Sequence, residues 1–358
     1  MILIISHYAK NKGVTDHFIS FLQDNKKKYF YLRHPFADNS SNYSDLIRYD
    51  GSQEKNIYSW KKSKNSILVL IQDFCINLFV SIYLGKKVNK VFGFGSFNVI
   101  AHIWTNFIFR RKIFFWGCDY SEERFGNKIL NYIYLWFETI ACKYSYRTIH
   151  PSSRQEEVRI RLHQLKTENS ILVPNGIDKV KILDWNQYKK LGLLYIGSIT
   201  EQHGIIQIIK SLYIDNNINY PLYIFGSGNL VDELNNTIKK YNLKNKVIYK
   251  GYMNPDDIYK YLYKQKINFI GLAPYNFDKD THVKYGDSLK VKDYLSVGIS
   301  YIAPSQLYIP EDLKEFGYIY NDIIMNLKIK DLDYNKLDKV MNKYIRSNIY
   351  NNLLSKYI

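Results

Sequence analysis

Five short apolar runs recur in the second half of the chain, at Leu193 to Ile196, Leu222 to Phe225, Val247 to Tyr249, Ile267 to Leu272 and Tyr301 to Ala303. Between them lie helical patterns at Ile205 to Tyr213, Leu230 to Tyr241, Pro255 to Lys264 and Leu289 to Val297, the third opened by the N-cap pair Asn254-Pro255. Strands that alternate with helices over short connections admit few solutions. The simplest is a parallel sheet wound on both faces with right-handed crossovers. The first half has the same rhythm less cleanly: strands at Ile2 to Ser6, Tyr29 to Leu32, Lys90 to Phe94 and Lys112 to Trp116, and helices at Val14 to Leu22, Ser66 to Leu84, Phe97 to Phe109 and Asn127 to Tyr146. Phe36 to Lys64 is polar and reads as an irregular surface insertion. At about 150 residues per domain, 358 residues predict two domains. We place them at 1–168 and 169–335, with the junction near Lys166 to Asn175. A last helix, in 336–358, packs across both halves.

Composition narrows the function classes. Glycine (18) and proline (8) are scarce and apolar residues make up 46%, which excludes a disordered or collagen-like chain. Cys75, Cys118 and Cys142 form no CxxC pair, which argues against a disulfide framework and a zinc site and fits a reducing cytoplasm. The opening Met1 to Ser6 lacks the basic and apolar regions of a signal peptide. Ser66 to Leu84 is apolar enough to resemble a membrane span, but Gln72, Asp73 and Asn77 interrupt it, so we expect a buried helix. The formal charge of +17, with 34 tyrosines, suits an anionic partner: nucleic acid, a membrane or a phosphorylated small molecule.

In a doubly wound sheet, ligands bind beyond the carboxyl ends of the strands. The loops there read Gly197-Ser198, Gly226-Ser227-Gly228, Gly251-Tyr252 and Ala273-Pro274-Tyr275. Glycines let backbone amides approach a ligand closely. Lys290 and Asp293, three apart in the next helical segment, share one face: a cation suited to a diphosphate and a carboxylate suited to a ribose diol.

These segments resemble the C-terminal half of GT-B glycosyltransferases of the GT4-like group. The resemblance is carried by Leu193-Leu-Tyr-Ile-Gly-Ser198 with His203-Gly204, and by Leu222-Tyr-Ile-Phe-Gly-Ser-Gly228. It continues through Val247-Ile-Tyr-Lys-Gly251, Gly271-Leu-Ala-Pro-Tyr275 and Leu289-Lys-Val-Lys-Asp-Tyr-Leu-Ser-Val-Gly298, with Val173-Pro-Asn-Gly-Ile-Asp178 leading into them. Ile171 to Pro304 matches well. The first half matches more weakly, through Gly13, Trp116 to Asp119 and Arg147 to Ser153. The resemblance implies an α/β protein of GT-B fold: two facing Rossmann-like doubly wound domains, with a C-terminal helix crossing back. It implies a sugar transferase that uses a nucleotide sugar, UDP- or GDP-linked, with no other cofactor and no metal. Lys290 would touch the donor phosphates, Asp293 the ribose, Tyr252 with Gly251 the base and Gly197 with Ser198 the diphosphate. His203, Gly226, Gly228 and Tyr275 complete the donor side. The acceptor side would hold Gly13, His7 and His34.

The sequence departs from the family at three places. Ser198 and His203 stand where basic residues are usual, so neutralising the diphosphate falls to Lys290, helped by Lys284 or Lys292. Asp293 replaces the second of two glutamates, and eight residues earlier stands Tyr285, with Asp287 nearby; retention or inversion stays open. Asp119, after the strand Lys112 to Trp116, takes the place of a histidine and is the candidate to deprotonate or orient the acceptor hydroxyl; otherwise it caps a helix. His102 and Glu138, inside helical patterns, read as packed groups. The clusters Lys26-Lys27-Lys28, Lys61-Lys62 with Lys64, Lys86-Lys87 and Arg110-Arg111-Lys112 lie among aromatics in the first half. Basic residues mixed with aromatics suit an anionic membrane, at about 1 kcal/mol per cation near the surface. The expectation is a cytoplasmic enzyme, peripheral at the inner face of the plasma membrane. It would extend a saccharide or lipid-linked acceptor in bacterial surface polysaccharide synthesis. A basic nucleic-acid-binding protein, or an epimerase or phosphorylase of the same fold, is the alternative; no nucleic-acid recognition module stands out.

Overall fold

The computed structural model describes residues 1–8, 13–35, 42–63, 65–215, 218–277, 281–320 and 330–358. Two compact units emerge: Met1–Pro174 with Tyr350–Ile358, and Asn175–Ile349.

Unit 1 holds β1 (Ile2–Tyr8), α1 (Val14–Asp24), β2 (Tyr29–Pro35), β3 (Tyr43–Tyr49), β4 (Glu54–Lys61), α2 (Ser66–Leu84), β5 (Lys90–Phe94), α3 (Phe97–Trp104), α4 (Asn106–Phe109), β6 (Lys112–Trp116), α5 (Lys128–Tyr144), β7 (Arg147–His150), α6 (Ser153–His163) and β8 (Ser170–Leu172). The sheet order is β4-β3-β2-β1-β5-β6-β7-β8. The strands from β2 across to β8 are parallel and covered by helices, which is why β1, β5 and β6 read as continuous apolar runs.

The insertion expected to be irregular is instead a pair of antiparallel strands. β3 pairs with β2 (Leu32 opposite Leu46) and β4 with β3. Polar residues hid this: Ser44 and Asp45 are buried in β3, where Asp45 pairs with Arg33 at 2.9 Å. Residues 36–41 and Lys64, parts of that stretch, lie outside the described residues. The helix expected over Phe97 to Phe109 is two, broken at Thr105, whose hydroxyl donates to the Ala101 carbonyl (3.2 Å).

Unit 2 holds β9 (Leu191–Ile196), α7 (Ile205–Ile209), β10 (Leu222–Phe225), α8 (Val231–Lys240), β11 (Val247–Tyr249), α9 (Pro255–Tyr263), β12 (Asn268–Leu272), α10 (Thr281–Tyr285), α11 (Leu289–Leu295), β13 (Ser300–Pro304), α12 (Glu311–Lys314), β14 (Gly317–Tyr320), α13 (Tyr334–Asn342) and α14 (Arg346–Leu353). All strands are parallel, in the order β11-β10-β9-β12-β13-β14. The winding reverses between β9 and β12, which makes their carboxyl ends the topological switch point.

The chain divides after Pro174 because β8 still belongs to the first sheet. The single last helix expected from Tyr334 to Tyr357 is broken between α13 and α14. There the Ile177 N–H donates to the Tyr344 carbonyl (2.9 Å), and Gly176 lies so close to Arg346 that a Cβ would meet its Cα at 2.7 Å. From Tyr350 onward the chain belongs to unit 1, where the Tyr350 ring packs on Phe18, Phe21 and Trp116.

Candidate functional site

At the switch point of unit 2 the loops after β9 and β10 lie directly on one another. A Cβ on Gly226 would fall 1.9 Å from the Gly197 carbonyl oxygen, and one on Gly228 2.1 Å from that of Ile199. Gly226 has φ +141°, in the region that favours glycine. A Cβ on Gly197 would meet Lys290 Cε at 2.6 Å, so the Lys290 stem lies across the end of β9. Its ammonium stands 3.5 Å from the Tyr275 hydroxyl and over the Tyr275 and Tyr195 rings, at 4.9 and 5.8 Å from their centroids. Tyr294 fixes the floor: its hydroxyl donates to the Leu272 carbonyl and accepts from the Ile196 N–H, both at 3.0 Å, tying the ends of β12 and β9 together.

Beside this lies a cavity of about 660 Å³, lined among others by Ile196, Pro255, Tyr259, Lys290, Asp293 and Tyr294. That volume suits a nucleotide-sized ligand. Asp293 stands exposed on the cavity wall, with protein packed densely around it. Burial raises its carboxyl to about 6, against the pull of Lys290 and Arg346. A carboxyl whose folded pKa lies above its ordinary 3.8 adds stability that is complete below that value and lost as the pH rises through the folded one. Asp293→Asn is therefore expected to raise the thermal midpoint at about pH 8 and to leave it nearly unchanged at about pH 4. An equal gain at both would show that the carboxylate charge is not the cost.

The predicted donor residues divide. Lys290 and Asp293 line the cavity, and Gly197, Gly226 and Gly228 form the loop stack behind Lys290. Ser198 is exposed, its carbonyl accepting from the Tyr195 hydroxyl (2.6 Å). Tyr252 is 72% exposed, and Gly251 before it has φ +74°. His203 sits 5.7 Å from the Tyr275 ring; burial and then Lys290 push its pKa down to about 4, so it is neutral at pH 7 and adds no positive charge. Lys292 does not help with phosphates as expected. It is buried, bound to Asp287 and donating to the Asn175 carbonyl (2.8 Å). Asp287 in turn accepts from the Asn175 N–H (2.7 Å). Lys284 is exposed. Tyr195, Tyr259 and Tyr294 were missed, because tyrosine is too common in this sequence to signal a site.

In unit 1, His7 closes β1 with Nε2 3.2 Å from Asp73 Oδ2. Burial lowers its pKa in spite of that contact, so it is neutral at pH 7. His34, expected to face the acceptor, is fully buried and supports Asp73 instead, with Nδ1 3.0 Å from Oδ1. Lys62 Nζ lies 2.8 Å from the same carboxylate. Burial alone would raise the Asp73 carboxyl, but the hydrogen bonds from His34, His7 and Lys62 outweigh it and hold it well below the carboxylate range. The sequence showed Asp73 only as an interruption in an apolar helix.

Gly13 is the N-cap residue of α1, and its N–H donates to Asp16 (2.9 Å). The Asp119 carboxylate is exposed and caps no helix, since α5 begins at Lys128 behind the N-cap Asn127. Its carbonyl accepts from Arg159 (3.3 Å), a buried residue that sequence reasoning also missed. His102 and Glu138 are buried as expected.

Residues 181–271 match the family model of the glycosyl transferases group 1. No curated protein sequence matches the chain. Solved structures do. The lipopolysaccharide outer core galactosyltransferase WaaB, in its apo form, aligns at 13% identity over 100% of this chain and 99% of its own, with a TM-score of 0.67. The sucrose-phosphate synthase of Thermosynechococcus elongatus aligns at 12% over 98% and 92%, with a TM-score of 0.61. HepE of Anabaena, in complex with UDP, aligns at 14% over 98% and 94%, with a TM-score of 0.59. The fold is GT-B. The group 1 match runs from ahead of β9 to Gly271 in β12, so this segment of unit 2 is similar to the group 1 glycosyl transferases and lies on a GT-B fold.

Proposed function

We propose that the enzyme transfers a sugar from a UDP-sugar to a saccharide or lipid-linked saccharide in bacterial surface polysaccharide synthesis. It would work in the cytoplasm, peripheral at the inner face of the plasma membrane. The observation that carries the donor half is the unit 2 cavity, where Lys290 and Asp293 share one wall beside the glycine loops. A ribose at Asp293 would place its diphosphate toward Lys290. The ammonium and the loop amides, rather than a metal ion, would then take up the charge of the leaving nucleoside diphosphate. UDP is favoured over GDP because HepE was solved with UDP and with UDP-glucose, and a TarM structure also holds UDP. The acceptor half is supported by the lipopolysaccharide galactosyltransferase WaaB and by TarM, solved with α-GlcNAc-glycerol. In unit 1 we assign the exposed Asp119 to the acceptor hydroxyl, with His7 on the acceptor side.

A thermal-shift panel of UDP, GDP, ADP and CMP tests the donor. UDP at about 100 times its dissociation constant is expected to add about 2.7 kcal/mol of stability. A shift with GDP alone would change the base, and no shift from any nucleotide would sink the donor reading.

A further inference from the structure

We propose that unit 1 docks on an anionic phospholipid bilayer through the outward faces of α2, α4 and α5. This deepens the reading above and rests on it for the membrane; the face itself is read from the surface. Helix α2 carries apolar residues on its exposed side as well as its buried one. Its buried side sets a polar row, Asp73, Asn77 and Ser81, spaced four apart and fully buried, beside the core residues Ile76, Val80 and Leu84. Asp73 is tied to His7, His34 and Lys62, and Ser81 Oγ accepts from Arg111 (2.8 Å). Its outward stripe is apolar: Leu68, Ile71, Phe79 and Ile82 are between 45% and 58% exposed. A helix facing water carries polar and charged residues on that face.

The apolar surface runs on past α2. Phe74 packs on Trp104 at 5.2 Å and Phe97 on Phe137 at 5.7 Å, joining α2 to α3 and α3 to α5. Beyond these contacts Phe107 is 81% exposed, Ile129 70% and Tyr132 74%. So broad an exposed apolar surface marks an interaction site.

Its rim identifies the occupant. On one flank Tyr58 stacks on Trp60 and Phe79 on Tyr83. At the carboxyl ends of α2 and α4, joined by the Arg111 bond to the Gly85 carbonyl (2.8 Å), Lys86, Lys87 and Arg110 are exposed. Aliphatic centre, aromatic flank and cationic edge follow the layers of a bilayer interface, from acyl chains through the headgroup level to anionic phosphates. Leu68–Lys87 has the length and composition of a membrane span. Its polar stripe, however, is bonded into unit 1, so α2 lies along the surface and does not cross it.

The test is flotation of the full-length protein with phosphatidylethanolamine–phosphatidylglycerol vesicles and with phosphatidylcholine vesicles. Wild type should float with the anionic vesicles and lag with the neutral ones. Two variants separate the contributions: Phe107→Ser, Ile129→Ser and Tyr132→Ser together, and Lys86→Glu, Lys87→Glu and Arg110→Glu together. Each should partition at least about tenfold more weakly, the second with a reduced salt dependence. All replaced side chains are exposed, so thermal midpoints and stabilisation by UDP should match wild type in both. A wild type that stays behind, or variants that float as well as it does, would overturn the proposal. So would a dimer in solution that the serine variant dissolves without any vesicle binding, which would give the face to a second copy. Flotation that both variants lose, in a protein indifferent to UDP, would overturn the donor reading and support this one.

Discussion

Replacing Arg159 with leucine is expected to lower the unfolding free energy of unit 1 by about 3–5 kcal/mol. The guanidinium is fully buried on α6 and spends its fork on four partners. Nε donates to Glu138 (3.0 Å), Nη1 to Gln155 (2.7 Å), Nη2 to the Asp119 carbonyl (3.3 Å), and Nη1 also lies 3.0 Å from His150 Nδ1. Its plane packs on Phe115 and Tyr120, and a Cβ on Gly117 would strike it at 2.4 Å. Leucine would leave the Glu138 carboxylate, 2% exposed, without a cation. That stranded charge sets the size of the loss, so Glu138→Gln on the same background should recover part of it. The segment from Gly117 to Tyr120 should also exchange its amide hydrogens faster, because it loses the bond that pins Asp119. Urea unfolding followed by tryptophan fluorescence reads the effect, since Trp60, Trp104, Trp116 and Trp136 all belong to unit 1. A loss below about 1 kcal/mol, or no recovery in the double variant, would show that Glu138 carries no buried charge.

Arg159 also shows where sequence reading stops. It lies in Ser153-Arg-Gln-Glu-Glu-Val-Arg-Ile-Arg-Leu-His163, a mixed-charge helix with the composition of a solvated surface. Only the neighbouring strands reveal that one of its three arginines points inward. Asp73 is the same lesson in an apolar helix, and Asp45 in a strand. A buried ion pair has no local signature, because its partners come from distant parts of the chain: Asp73 from α2, His7 from β1, His34 from β2 and Lys62 from the end of β4. Unit 2 was far more legible. Its parallel strands are buried on both faces and so are written as apolar runs, and its glycines are forced by backbone contact at Gly226 and Gly228. Lys290 and Asp293 followed from helical spacing, but that spacing did not say which neighbouring lysine turns inward.

Lys290 and Lys292 answer that question by experiment. They are two residues apart, so their side chains leave α11 in nearly opposite directions. Lys290 reaches across Gly197 to the cavity wall; Lys292 is fully buried against Asp287 and the Asn175 carbonyl. Lys290→Ala removes a cation that, among the described residues, forms no ion pair and only pulls on the exposed Asp293, so the thermal midpoint should hardly move. UDP affinity, measured by calorimetry, should fall about tenfold to a hundredfold, the worth of one or two charge-assisted hydrogen bonds. Lys292→Ala should do the reverse. It strands the Asp287 carboxylate, 5% exposed, whose Oδ1 already lacks a hydrogen-bond partner, and should cost about 3–5 kcal/mol in unit 2. The protein that stays folded should still bind UDP with near wild-type affinity. If Lys290→Ala bound UDP as tightly as wild type, the diphosphate would not lie at the end of β9. The glycine loops would then be close packing between neighbouring strands and nothing more. If Lys292→Ala lost affinity without losing stability, the Asp287 pair would belong to the donor site. A single pair of alanine variants thus tests whether Lys290 holds the ligand and Lys292 the helix.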